Sequence, residues 1–415
     1  MRRLATTSCA SGRLGRLRSV GLLLALALAA APAQARAADR APALPNAKSA
    51  IVIDGRNGEV LFAKRPGARR EIASTTKLMT ALLTLERARP RQVFRASDRR
   101  PAAVESQIGL QRGERMRVAD LFEALMLESA NDAAETLAEG IAGSRPAFVA
   151  AMNDRARELG LDRTSYANPI GLDDPNNYST ARDLAKLTFT LMQLPRFERV
   201  VDMPSAQLES GARPRTVDNR NLLIGLYPWV NGVKTGHTAQ AGYVLVGSAR
   251  SRIGGRVISV VMGEPSEAGR DADTVKLLRW GLSRFHRVRV LERDRSLARS
   301  DVEYFDERTA LVPQRGLVLT LRDGERVSRR VHAPDQLSGP LPAGRRVGSV
   351  TVSVDGEQVR REPLVTAAAV PGAGTLRVIT SVLGVPLTVL AVLAILLAAA
   401  LTILRLRVRL KPVNR

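Results

Sequence analysis

From Val378 to Leu404 the chain runs for 27 positions without a charged residue. A helix of that length spans about 40 Å, more than the roughly 30 Å hydrocarbon core of a bilayer. The run predicts a transmembrane helix over 378–404, with Pro386 as a tolerated kink. Arg405, Arg407, Arg409 and Lys411 follow at once, which predicts a basic cytoplasmic tail over 405–415. The other end carries Arg2, Arg3, Arg13, Arg16 and Arg18, then an apolar run from Val20 to Ala31, then Ala33-Gln34-Ala35. This is the layout of a secretory signal peptide, 1–35; Ala38 offers a second cleavage point. Cys9 precedes the apolar run, so it is not a lipoprotein cysteine. The two ends agree on an exported body held on the outer face of the membrane by its C-terminal helix.

Between these segments the charge is strongly positive. Net charge is +23, and setting aside the ten basic residues of the leader and tail leaves +13 on 36–404. Such an excess suits an anionic envelope or polymer, or reflects an Arg-rich composition. Aromatic residues are 4% of the chain and do not interleave with the basic ones, which argues against nucleic-acid binding. Cys9 is the only cysteine, so cleavage leaves no disulfide, thiol nucleophile or cysteine metal site. His237, His286 and His332 have no metal-ligand spacing, and no G-x-S-x-G elbow is present. No metal or organic cofactor is expected.

The exported body reads as α+β over 45–286. Ala50–Asp54 and Glu59–Ala63 predict two strands around the turn Gly55–Gly58. Leu78, Leu82 and Leu85 recur at helical spacing and predict an amphipathic helix starting near Ser74. Helical patterns fill 118–159. Val230–Thr238, Gly242–Ala249 and Arg256–Met262 predict an antiparallel meander, and Asp271–Phe285 a closing helix with Val275, Leu278 and Leu282 on one face. From 287 to 366 short alternating runs such as Leu317–Leu321 and Val347–Val354 predict a small all-β domain. Residues 367–377 are rich in Ala, Gly and Pro and read as a linker.

Three short elements lie in order along the body: Ser74-Thr75-Thr76-Lys77, Ser129-Ala130-Asn131 and Lys234-Thr235-Gly236. Each is weak alone. Ser129-Ala130-Asn131 would serve equally as a helix N-cap, with Asp132 as well placed as Asn131. Lysine usage sharpens the signal: of 63 Lys and Arg only seven are Lys, yet both basic motif positions keep it. A general base must lose a proton, which Arg cannot do and Lys does when buried near charge. Bringing a lysine from about 10.4 to near 7 takes roughly 4–5 kcal/mol of destabilisation of its charged form. Burial beside a second cation, Lys234, would supply it at Lys77. Ser74 sits at a helix N-terminus with Lys77 one turn on, where the helix dipole favours an oxyanion. Lys234 lies on a strand able to pair with an extended peptide.

The set S-x-x-K, S-x-N, K-T-G is the one shared by penicillin-binding proteins and class A β-lactamases. The stretches Tyr166–Leu172, Lys234–Tyr243 and Gly269-Arg270 extend the likeness. The chain resembles the D-alanyl-D-alanine carboxypeptidases, the low-molecular-mass penicillin-binding proteins, over nearly its whole length. It departs from familiar members in ending on a long apolar span rather than an amphipathic helix. The resemblance implies a β-lactamase/transpeptidase-like catalytic domain, an antiparallel sheet plus a helical subdomain. It implies a bacterial serine peptidase acting on peptidoglycan stem peptides and blocked by β-lactam antibiotics. Ser74 would be the nucleophile, Lys77 its base and Ser129 the proton relay to the leaving D-alanine. Asn131 would hold the acyl side, and Lys234, Thr235 and Arg270 the terminal carboxylate. Backbone N–H groups of Ser74 and His237 would form the oxyanion hole, and Gly236 would leave room for the substrate. The His237 imidazole need not take part, and Arg270 reads equally as an exposed helix-start arginine. A DD-endopeptidase, a β-lactamase and a non-catalytic wall scaffold are the competing readings. No dedicated deacylating Glu stands out between Asn131 and Lys234.

Overall fold

The computed structural model describes residues 41–409, with side chains to 406; the expected signal peptide and the last six residues of the basic tail lie outside them. Five antiparallel strands form the central sheet: Ser49–Asp54, Val60–Lys64, Val230–Thr238, Gly242–Arg250 and Arg256–Glu264. Their order places the two ends of the body side by side, with Ser49–Asp54 pairing against Arg256–Glu264. The strand carrying Lys234 is at one edge. Successive strand residues face opposite ways, and here both faces are covered. Ile51, Ile53, Val244, Val246, Ile258 and Val260 enter one core. Ala50, Val52, Leu245, Val257 and Val261 enter another, beneath the helix Glu267–Ser283. Burial on both faces explains why these strands read as nearly continuous apolar runs.

The larger core is the helical side. Its centre is the helix Lys77–Arg87, entered through a 3-10 turn over Ala73–Thr76. Its apolar spacing suggests an amphipathic surface helix, but every residue from Lys77 to Thr84 is buried. Two threonines make this tolerable, because each hydroxyl finds a backbone acceptor. Thr80 donates to Pro169 O and Thr84 to Thr80 O, both at 2.7 Å. Around it pack the helices Val118–Met126, Asn131–Ala142, Arg145–Glu158 and Ala181–Met192. A buried Arg215–Glu114 pair at 2.8 Å ties the Ser205–Leu208/Arg215–Asp218 hairpin to the loop before the helix Val118–Met126.

A second, all-β unit begins with Phe285–Leu291, paired to Leu317–Arg322, and continues as a six-stranded sheet around Leu311, Val350, Val352 and Leu364. Arg56, in the first hairpin turn, joins the two units. It bonds Asp54 at 2.7 Å and Glu325 at 2.6 Å and lies 4.6 Å over the Phe285 ring. Part of the expected linker is not free: Val370 is buried and bridges to Leu341.

The apolar C-terminal run divides into two helices, Thr375–Leu383 and Val385–Arg409. The break falls at Gly384, with φ +77°, rather than as a kink at Pro386. Glycine accepts that conformation, and Pro386 falls in the first turn of the second helix, where its missing N–H has no intrahelical partner to lose. Among the described residues, Val385–Leu406 is the one segment long and apolar enough to cross a membrane, and almost all of it is exposed.

Candidate active site

Ser74 lies in the 3-10 turn, half-buried, with Lys77 fully buried behind it. The Lys77 amine has three neighbours: Ser74 Oγ at 3.1 Å, Asn131 Oδ1 at 2.6 Å and the Ile170 carbonyl at 2.5 Å. Two of these are carbonyl oxygens that can only accept. A neutral amine has two N–H donors and one lone pair. With both donors taken by Asn131 and Ile170, the lone pair is left to face the Ser74 hydroxyl. Burial, then the charge of Lys234, pushes Lys77 well below the ordinary lysine range; Glu105 and Glu135 oppose this and Arg99 assists it.

The turn is held in place by two glycines that let other backbone approach it. A Cβ on Gly171 would lie 2.0 Å from Ala73 O and 2.9 Å from Ser74 N, and its φ is +92°. A Cβ on Gly236 would meet Ser74 N at 3.1 Å and Ile72 O at 3.2 Å. Gly236 therefore lets the Lys234 strand pack against the serine turn. That close approach is one reason for its missing side chain. Gly171→Ala should slow penicillin labelling of Ser74 at least about tenfold and lower stability by about 1–3 kcal/mol, because relieving the overlap moves Ile170 O off Lys77. Labelling kinetics with thermal unfolding check both.

Asn131 reaches the same point from the junction of two helices, with Ser129 two residues before it. Ser129 has φ +63°, a conformation costing of order 1–3 kcal/mol for a non-glycine residue. Its hydroxyl is buried and finds no hydrogen-bond partner among the described residues. Asn131 opens the helix Asn131–Ala142, whose N-cap residue, Ala130, has no side chain able to cap it. Asn131 is turned inward to Lys77 instead, and Asp132 holds the 108–110 loop by accepting from Ile108 N at 3.1 Å and Leu110 N at 2.9 Å. Asp132 Oδ1 also accepts from Ala133 N at 3.0 Å, so the capping role falls to Asp132 and leaves Asn131 free for Lys77.

Lys234 is also fully buried, and its amine donates to Thr235 O at 3.2 Å. Burial, then the charges of Arg220 and Arg270, pushes it down to about 7, with Glu128 opposing. Thr235 is buried beside it. Arg270 is buried, not an exposed helix-start residue. Its guanidinium bonds Glu267 and Asp271, each at 2.8 Å, with the Tyr243 ring centroid 5.8 Å away. The His237 side chain is exposed and its ring stacks on Tyr243 at 4.0 Å. The three motifs, widely separated in the chain, thus come together: Asn131 bonds Lys77, and the strand of Lys234 packs through Gly236 on the Ser74 turn.

Several contributors carry no sequence signal. Arg220, paired with Glu128, acts on Lys234 by its charge, but one arginine among so many has no contrast. The Ile170 carbonyl is main chain, which any residue supplies. Glu105 bonds Asn131 at 2.5 Å from a loop with no motif.

Comparison with known proteins follows the same outline. Residues 35–266 match the family model described as D-alanyl-D-alanine carboxypeptidase, and 285–372 match that of the penicillin-binding protein 5 C-terminal domain. The chain is 32% identical to D-alanyl-D-alanine carboxypeptidase DacF of Bacillus subtilis (strain 168), over 81% of this chain and 89% of that one. It is 32% identical to the DacA enzyme of Haemophilus influenzae, over 75% of this chain and 82% of that one. The solved penicillin-binding protein 5 from Haemophilus influenzae superposes with a TM-score of 0.58 at 32% identity, covering 80% of this chain and 99% of that one. Sheet topology, cleft and sequence agree, and the chain belongs to the D-alanyl-D-alanine carboxypeptidase family.

Proposed function

We propose that this protein removes the terminal D-alanine from peptidoglycan stem pentapeptides through an acyl-enzyme on Ser74. The observation that carries the reading is the Ser74 Oγ to Lys77 Nζ contact of 3.1 Å, made by a buried lysine with its other two hydrogen-bonding directions already occupied. As Ser74 Oγ bonds to the carbonyl carbon between the two D-alanines, its proton passes to Lys77. The oxyanion is held by the N–H groups of Ser74 and His237, donors each worth about 3–4 kcal/mol in comparable sites. The C–N bond then breaks, and Ser129, whose hydroxyl is unpartnered among the described residues, relays the proton to the departing amine. Water hydrolyses the ester and returns Ser74. The terminal carboxylate is placed at Lys234, Thr235 and Arg270, with Asn131 on the acyl side. An anion there would favour the charged form of Lys234. A β-lactam presents the same carbonyl and carboxylate and would acylate Ser74 in the same way.

The protein is exported and held at the outer face of the bacterial cell membrane by Val385–Leu406, a reading supported by the apolarity of that helix and the arginines that follow. The test is D-alanine release by the full-length chain in detergent from a muramyl pentapeptide, beside cross-linked muropeptides. Release of free D-alanine from the pentapeptide is expected. Cleavage of cross-links alone would make it an endopeptidase, and no cleavage of either would overturn the reading.

A further inference from the structure

Glu105 lies on the loop between the paired strands Val93–Arg95 and Arg115–Arg117, outside all three motifs. Its Oε2 accepts from Asn131 Nδ2 at 2.5 Å, while Asn131 Oδ1 accepts from Lys77 at 2.6 Å. The carboxylate is itself fixed: Arg99 bonds both of its oxygens, at 3.0 and 3.1 Å, and Ala102 N donates at 3.0 Å. Its side chain is only 11% exposed. From this geometry we infer that Glu105 is a positioning residue, which sets the orientation of the Asn131 amide and through it aims the Lys77 lone pair at Ser74.

The reasoning follows from donor and acceptor counts. An ionised carboxylate can only accept, so it selects the Asn131 rotamer with NH2 outward and oxygen toward Lys77. Were the amide reversed, Lys77 would face an N–H donor. Its lone pair would then accept from Asn131 and be lost to the Ser74 proton. Glu105 is ionised at neutral pH. Burial works against ionisation, but the bonds from Ala102 N, Asn131 and Arg99 hold its carboxyl below the ordinary range. The charged groups facing Lys77 are Lys234 from the sheet edge, Glu135 from the helix Asn131–Ala142, and Glu105 and Arg99 from the loop. Glu135 sits 3.6 Å from Arg99 and 3.7 Å from Arg145.

The inference rests on Lys77 acting as the base for Ser74. The test is the rate of acylation of the full-length chain in detergent by a fluorescent penicillin, measured across pH. In Glu105→Gln the new amide can donate to Asn131 Oδ1, so the orientation is no longer selected, and acylation should fall at least about tenfold. Removing the negative charge also destabilises the Lys77 ammonium, so the acid limb of the profile should move to lower pH. Arg99→Gln keeps the carboxylate but removes a cation, so its acid limb should move to higher pH. A folded Glu105→Gln that acylates at the wild-type rate, or is slowed with its acid limb unmoved, overturns the inference. Where Glu105→Gln does not fold, Arg99→Gln decides: an acid limb that stays or moves down overturns it. A wild type that takes no label overturns the catalytic reading itself and this one with it; a labelled wild type with indifferent variants overturns this one alone.

Discussion

Lys77→Arg should lower the rate of Ser74 acylation by about 10²–10⁴-fold, the contribution expected of a positioned general base. The substitution keeps a cation and hydrogen-bond donors in the pocket, so charge alone is not what it removes. It removes the capacity to be neutral. An arginine stays protonated even where burial and a neighbouring lysine act against it. At Lys77 both act: the side chain is fully buried, and Lys234 adds a repulsive charge. A guanidinium has no lone pair to offer Ser74, so the serine would attack as a neutral hydroxyl. Stopped-flow labelling by a fluorescent penicillin measures the effect, with circular dichroism and thermal unfolding to establish that the variant is folded. Labelling at the wild-type rate would show that another group takes the serine proton.

Ser74→Ala should abolish turnover altogether, a loss of about 10⁶-fold when a nucleophile is deleted from a site that otherwise still binds. No ester can form, so no label should survive denaturation. The rest of the cleft is undisturbed: Lys77 keeps Asn131 and Ile170, and the turn keeps its packing against Gly171 and Gly236. Stability should therefore stay within about 1 kcal/mol of the parent, since one half-exposed hydroxyl is lost and no buried group is left uncompensated. D-alanine release read by amino-acid analysis, with thermal unfolding alongside, checks both parts. Turnover retained in this variant would place the nucleophile elsewhere. Reversible penicillin binding without a covalent adduct would show the recognition surface intact.

Much of the scaffold was legible because strands and helices leave periodic traces. The hairpin near residue 50 and the meander from Val230 were placed within a residue or two at most of their ends. The closing helix was not. It starts at Glu267 rather than Asp271, because Ser266 caps it by accepting from Gly269 N at 3.1 Å. A glycine in its first turn masked that start. It also ends at Ser283, and Phe285 turns into the next strand. The helix Lys77–Arg87 showed its spacing but not its surroundings, since three leucines on one face do not reveal that the other faces are buried too.

The chemistry of the site was written locally. Serine, lysine and threonine identities carry the family likeness, and keeping Lys where Arg is otherwise used fits the base proposed at Lys77. The apolar C-terminal run is equally plain as a segment long and apolar enough to cross a membrane. What only the tertiary structure decided is how these groups face one another. Ile170 lends a carbonyl, Glu105 turns an amide, Arg220 adds a charge, and Gly171 and Gly236 let three backbone segments meet at Ser74. Main-chain groups have no sequence signature, and a surface arginine or glutamate looks like any other until packing brings it beside a buried lysine. The proton affinity of that lysine is set by burial and by charges many residues away, so it comes into being only when the chain is folded.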